Sequence, residues 1–166
     1  MELSFYHVMS GNLVPSVVKL LEKVYDSGKK CIFFSPVEDR VKVVDKTLWT
    51  FSKNAFIPHG DKSLGFSELQ SVYLTSEIEN PNQATVLVVT DSFDYKNWIE
   101  NSKVNDHENE NYQGKNSEDF GFERIIFIFE GEGSSETAQS MFEDLKNQRE
   151  NVKYWKQSQS GWEKLS

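Results

Sequence analysis

The residues best suited to chemistry follow an apolar run in the middle of the chain. Residues 85–89 (TVLVV) have the composition of a doubly buried strand, and Asp91 and Asp94 come directly after it. Enzymes that transfer phosphoryl groups hold Mg²⁺ with an acid at the end of such a strand. One hypothesis is therefore a magnesium-dependent phosphoryl-transfer or nuclease site using Asp91 and Asp94, with Glu130 as a further candidate. An acid in this position more often caps a turn or a helix, and we favour that interpretation.

The sequence lacks the loop that would hold a phosphate beside such a metal. The pattern G-x-x-x-x-G-K-[ST] is absent, and Gly28-Lys29-Lys30 lies between a helix and a strand, the reverse of the required order. Gly131 and Gly133 do lie between a strand and a helix, where backbone N–H groups can bind an anion. Nearby carboxylates would repel a phosphate there, so a tight turn is the favoured interpretation. Those carboxylates are Glu130, Glu132 and Glu136.

Other nucleophiles and metal ligands are scattered along the chain. His7, His59 and His107 show no spacing typical of a zinc site. Cys31 precedes Ile32 and Phe33, so we predict that it is a buried packing residue rather than a nucleophile. The motif Gly-x-Ser-x-Gly does not occur. We find no catalytic constellation and predict no catalytic residue, no metal and no cofactor.

Composition favours one folded domain over residues 1–166. Apolar residues make up 37% of the 166 and aromatic residues 13%, enough to build a hydrophobic core. The single cysteine has no second thiol to pair with, which suits a reducing cytoplasm. The sequence has no apolar run of roughly 18 residues and no basic leader, so we expect neither a membrane span nor secretion.

The net charge of the chain makes direct binding to nucleic acid less favourable. The chain has 18 Lys and Arg against 26 Asp and Glu, a net charge of −8, so its average surface repels phosphate. Any contact with DNA is therefore expected to be indirect. Direct binding would need a local basic face, and it stays open as a weaker possibility. The candidate cations for such a face are Lys29, Lys30, Lys146, Lys153 and Lys156.

Strands alternate with helices along the chain. The continuous apolar runs indicate strands covered on both faces, which is typical of a parallel sheet between helix layers. We predict a three-layer α/β/α fold with a mostly parallel central sheet, a nucleotide-binding-like topology without a phosphate loop. Residues 101–119, acidic and rich in Asn, are predicted to form a mobile surface loop. Strands are predicted at 3–9, 31–35, 55–58, 71–75, 85–89, 122–129 and 152–155, and helices at 13–27, 38–51 and 135–148.

Aromatic side chains form two groups in the sequence. Large rings that are not buried commonly anchor a protein partner, but they also complete cores, and from the sequence the two roles are equally supported. The first group surrounds the end of the second predicted helix and comprises Trp49, Phe51, Phe56, Ile57, Pro58 and His59. The second lies near the C-terminus and comprises Tyr154, Trp155 and Trp162.

Several short segments keep a characteristic order and spacing across nearly the whole chain. They are Phe5-Tyr6, Gly28-Lys29-Lys30-Cys31, 45–51 (DKTLWTF), Phe56-Ile57-Pro58-His59, 122–126 (FERII) and 161–165 (GWEKL). Together they resemble the chi subunit family of bacterial DNA polymerase III. The most specific combination is Leu-Trp followed by Phe-Ile-Pro-His and the Gly-Trp-Glu-Lys ending, and residues 101–119 stand out as an insertion.

The resemblance implies a non-catalytic accessory subunit of the replicative polymerase III holoenzyme. Such a subunit is attached to the clamp-loader assembly and contacts the single-stranded-DNA-binding protein. In the family, the Leu-Trp and Phe-x-Pro-His region faces the psi subunit. The resemblance therefore implies that a psi-like partner is bound by Trp49, Phe56, Ile57, Pro58 and His59.

The sequence departs from the family at its second contact. The family uses basic residues on the last helix to hold the acidic, carboxylate-ending tail of the single-stranded-DNA-binding protein. Here those positions fall on Gln139, Met141 and Glu143, and only Lys146 remains basic. A carboxylate-bearing peptide would meet one cation where the family offers several, so the contact is either weakened or moved.

Overall fold

The computed structural model describes residues 1–51, 56–91, 121–149 and 151–165. Ala55, Asp94 and the predicted loop at 101–119 lie outside these ranges. The described strands are β1 (Glu2–Val8), β2 (Cys31–Phe34), β3 (His59–Gly60), β4 (Val72–Thr75), β5 (Val86–Val89), β6 (Arg124–Glu130), β7 (Val152–Ser158) and β8 (Gly161–Lys164). The described helices are α1 (Leu13–Asp26), α2 (Glu38–Thr50) and α3 (Glu132–Gln148).

The strands form one sheet in the order β3-β4-β2-β5-β6-β1-β7-β8. Every neighbouring pair is parallel except β7 and β8, which form an antiparallel hairpin. The predicted α/β class with a mostly parallel sheet is confirmed. In the described part of the chain, β3 and β8 are the two outer strands, at opposite ends of the sheet.

Helices cover both faces of the sheet. On one face, α1 and α2 bury residues such as Val17 and Val44 against Phe33 of β2. On the other face, α3 buries Phe142 against Phe5 of β1, among other contacts. Each of the strands β2, β4 and β5 has four residues, and all of them are buried. Burial on both faces explains why their sequences show no alternation of apolar and polar residues.

Two strands differ from their predictions. The strand predicted at 55–58 is found at His59–Gly60 instead, and Pro58, which has no N–H, contributes only its carbonyl, which accepts from Val72 N at 3.1 Å. No strand is predicted at 161–165, where the structure has the strand β8, which pairs with β7. All four residues of β8 are exposed, so no buried periodicity marks it in the sequence.

The predicted burial of Cys31 is confirmed. Its side chain is inaccessible to solvent, and burial raises the pKa of the thiol to about 12. We therefore expect the native chain to leave an aromatic disulfide reagent unreacted at pH 8, and to react once it is unfolded in guanidinium. Release of one equivalent of chromophore by the native protein within seconds would contradict this prediction.

In the part of the chain that is described, no helix combines the length and the apolar character needed to cross a bilayer.

Candidate interaction site

Asp91, the first candidate metal ligand, is engaged with protein groups. Its carboxylate accepts a hydrogen bond from Ser35 Oγ at 2.6 Å and from Arg40 Nε and Nη2, each at 3.3 Å. These contacts join the ends of β2 and β5 to the first turn of α2. Asp91 also has a positive φ of 66°, a conformation that Asp tolerates better than most residues. The arrangement is that of a structural clamp at the carboxyl end of the sheet.

The other proposed ligands do not join Asp91 in the described chain. Glu130 accepts a hydrogen bond from the backbone N–H of Gly11 at 3.0 Å, and Asp94 lies outside the described residues. Among described residues, no group of three or more His, Cys, Asp or Glu side chains is placed to hold a metal ion.

Two large rings are exposed at one end of the sheet. Trp49, in the last turn of α2, is 57% exposed, and Phe56, just before β3, is 66% exposed. Their ring centroids are 6.0 Å apart, and the rings are tilted by 48°. We call this pair the aromatic face. Adjacent exposed rings of this size are typical of a surface that a partner covers.

Buried residues support the aromatic face from below. His59 is 5% exposed, and its ring centroid lies 4.7 Å from that of Trp49. Its Nδ1 donates to the carbonyl oxygen of Ile57 at 2.7 Å, and its Nε2 lies 3.2 Å from Oδ1 of Asp45 on α2. The imidazole thus lies between the segment before β3 and α2, beneath the indole.

The five predicted partner-binding residues therefore occupy different positions. Trp49 and Phe56 are exposed, Pro58 is half-buried, and Ile57 and His59 are buried. The structure brings all five together, but only the two large rings are more than half exposed to solvent. The remaining three shape and hold the surface on which those rings lie.

Further apolar side chains, which the sequence interpretation missed, border the same sheet edge. Leu64, Phe66 and Leu69 are 57%, 72% and 69% exposed, in the short helical turns between β3 and β4. Leu64 lies over β3, because a Cβ added to Gly60 would be 2.8 Å from Leu64 Cδ1. Three apolar residues within a polar Gly- and Ser-containing segment are the signal that could have identified them.

The second predicted contact lies on α3, which packs on the opposite face of the sheet. Lys146 is exposed, and its Nζ lies 5.4 Å from the ring centroid of Phe142. Gln139 and Glu143 are also exposed, and Met141 is half-buried. Of the four positions that the resemblance implies are basic, three are therefore exposed and one is half-buried, and only Lys146 has a basic side chain.

The C-terminal aromatic residues divide between the core and the surface. Tyr154 is buried against Phe5 and Phe142, with centroid distances of 6.2 and 5.2 Å. Trp155 is half-buried and Trp162 is 39% exposed, and both contact the ring of Tyr6.

Comparison with known proteins identifies a matching family and a curated relative. The sequence model of the family described as "DNA polymerase III chi subunit, HolC" matches residues 1–153. A curated protein named "Probable DNA polymerase III subunit chi", from Rickettsia prowazekii (strain Madrid E), is 35% identical over 88 residues. That alignment covers 53% of this chain and 53% of the relative, so the chain matches about half the length of the curated relative.

Proposed function

The chain belongs to the DNA polymerase III chi subunit family, and from that premise we propose that it is a non-catalytic accessory subunit that links the clamp-loader assembly to the single-stranded-DNA-binding protein. The family itself places the chain among the components of polymerase III, in DNA replication. The single observation that carries the attachment proposal is the exposure of Trp49 and Phe56 beside each other.

The aromatic face has the physical properties of a binding anchor. Both rings are exposed in the free chain, so a partner that covers them removes apolar area from water, which is favourable by about 25 cal/mol per Å². Trp49 already packs against the buried ring of His59, and this contact reduces the side-chain freedom that it has to lose on binding. We propose that an apolar segment of a psi-like subunit covers this face.

The contacts of Asp91 support a non-catalytic role. A carboxylate that already accepts from Ser35 and Arg40 would have to exchange those bonds for a metal ion. A structural clamp, in which the Asp91 carboxylate accepts from the side chains of Ser35 and Arg40, accounts for its geometry without a ligand.

We propose that the contact with the single-stranded-DNA-binding protein uses Lys146 of α3. This cation would pair with a carboxylate of the acidic tail. The exposed Glu143 and Asp144 beside it would repel that carboxylate. We therefore expect this contact to be weaker than the one at the aromatic face and to be lost at high salt.

Affinity capture from an extract of the source cells tests the proposal. The bait is the full chain, and the extract is treated with nuclease so that DNA cannot bridge proteins. We expect clamp-loader subunits in the wild-type eluate and their loss with Trp49→Ala/Phe56→Ala. Lys146→Ala should reduce only the single-stranded-DNA-binding protein. A wild-type eluate without any polymerase III component would overturn the proposal.

A further inference from the structure

A cleft of about 620 Å³ lies beside α1 at the far end of the sheet from the aromatic face. One wall is α1, which packs over β2, β5 and β6. The floor and the other wall come from β1, β6 and the β7–β8 hairpin, through residues that include Tyr6, Trp155 and Trp162. We call this feature the hairpin cleft.

The hairpin cleft is basic, although the whole chain carries a net charge of −8. Its lining includes Lys19, Lys23, Lys29 and Arg124. Lys153 and Lys164 lie on the same face of the sheet as Trp155. Lys153 is two residues before Trp155 on β7, and Lys164 is directly opposite Trp155 on β8.

Two carboxylates offset part of this charge. Glu2 lies 3.0 Å from Arg124 Nε and 2.7 Å from Lys153 Nζ, and Glu123 lies 2.9 Å from Lys29 Nζ. Within the described chain, the remaining three cations, Lys19, Lys23 and Lys164, form no ion pair. A surplus of positive charge is therefore concentrated on one side of an acidic protein, and it is available to an anionic ligand.

Aromatic rings occupy the same cleft. Tyr6 and Trp155 are stacked with a centroid distance of 6.3 Å and an angle of 16° between their planes. Trp162 meets Tyr6 edge to face at 5.2 Å and is 39% exposed. Exposed rings interleaved with cations are what proteins use to bind single-stranded nucleic acid, because bases stack on the rings while the cations follow the phosphates.

We propose that the hairpin cleft binds single-stranded nucleic acid. One or two bases stack on Trp162 and Trp155, and the phosphates run along Lys19 and Lys23, which lie one helical turn apart on α1. An acidic peptide could pair with the cations, but its carboxylates would not stack on the three rings, whereas nucleic-acid bases would. Because β3 and β8 are opposite ends of the sheet, the cleft stays open when a protein covers the aromatic face.

Fluorescence anisotropy tests the proposal, with the full chain and a fluorescein-labelled oligothymidylate of about 12 nucleotides. We expect saturable binding at about 50 mM salt that weakens steeply as salt rises. Lys19→Ala/Lys23→Ala should raise Kd about tenfold and reduce the slope of log K against log salt by about 1.4. Trp162→Ala should raise Kd about fivefold, while Trp162→Phe, which keeps a ring, should stay within about twofold of wild type.

The matched control is Lys42→Ala/Lys46→Ala. This pair has the same spacing and exposure on α2, and its removal changes the net charge equally, so it should leave Kd nearly unchanged. The proposal is overturned if the oligonucleotide does not bind, or if the two double variants lose affinity equally. It is also overturned if polyglutamate displaces the oligonucleotide at equal charge concentration, because the cleft would then be a site for any polyanion.

Discussion

Replacing Trp49 or Phe56 by alanine is expected to weaken binding to the clamp-loader partner by about 2 kcal/mol or more each, about thirtyfold in Kd. The rings are 57% and 66% exposed in the free chain, so the energy lost is that of the interface rather than of the core. For the same reason, the free energy of unfolding should change by no more than about 0.5 kcal/mol for Phe56→Ala. Isothermal titration calorimetry with the purified partner measures the affinity.

The matched control is Trp162→Ala. This indole is also exposed, but it lies on β8, at the opposite end of the sheet from Trp49. It should leave the partner affinity unchanged. If Trp162→Ala weakens partner binding as much as Trp49→Ala does, the partner contacts a different face, and the assignment of the aromatic face is wrong.

Replacing Phe5 by alanine is expected to lower the free energy of unfolding by about 3–5 kcal/mol, a large share of the stability of a domain this size. Phe5 has no exposed surface and lies at the centre of an aromatic cluster. Its ring is stacked on Phe127 at 4.9 Å and contacts Phe142 edge to face at 5.7 Å. The cavity left behind would remove contacts among β1, β6 and α3 at once.

Urea denaturation followed by far-UV circular dichroism measures this loss. Phe66→Ala, which removes the same side chain from a position that is 72% exposed, is the control and should shift the free energy of unfolding by no more than about 0.5 kcal/mol. A loss below about 1 kcal/mol for Phe5→Ala would show that this cluster is not the packed centre of the molecule.

The central strands were predictable from sequence because they are buried on both faces. Residues 31–34 and 86–89 are continuous apolar runs, and the structure buries every residue in them. The edge strands were not predictable in the same way. His59–Gly60 is only two residues long and pairs with β4 alone, so its burial is too short to give a sequence pattern, and β8 is exposed along its whole length.

The candidate site could be located from the sequence, but the roles of its residues could not be assigned. Trp49, Phe56 and His59 do lie together, as their segment predicted. Which of them faces solvent depends on the ring of His59 packing beneath Trp49, a contact between the start of β3 and the end of α2. Burial of this kind is set by tertiary packing and not by local sequence.

The hairpin cleft was not visible in the sequence for a related reason. Its rings and cations come from β1, α1, β6 and the β7–β8 hairpin, and only the strand order brings them together. The net charge of −8 indicated that the surface repels phosphate, because a total over the whole chain does not show a local surplus of cations.

The claim that the aromatic face attaches the chain to the polymerase assembly is tested most directly by photo-cross-linking in the source cells. A benzophenone amino acid replaces Phe56 in one strain and Trp162, an exposed ring at the opposite end of the sheet, in the control strain. Cross-linked products are identified by mass spectrometry. The account predicts a clamp-loader subunit attached at position 56 and none at position 162. Cross-links from position 56 to proteins outside the polymerase, or equal yields at both positions, would contradict it.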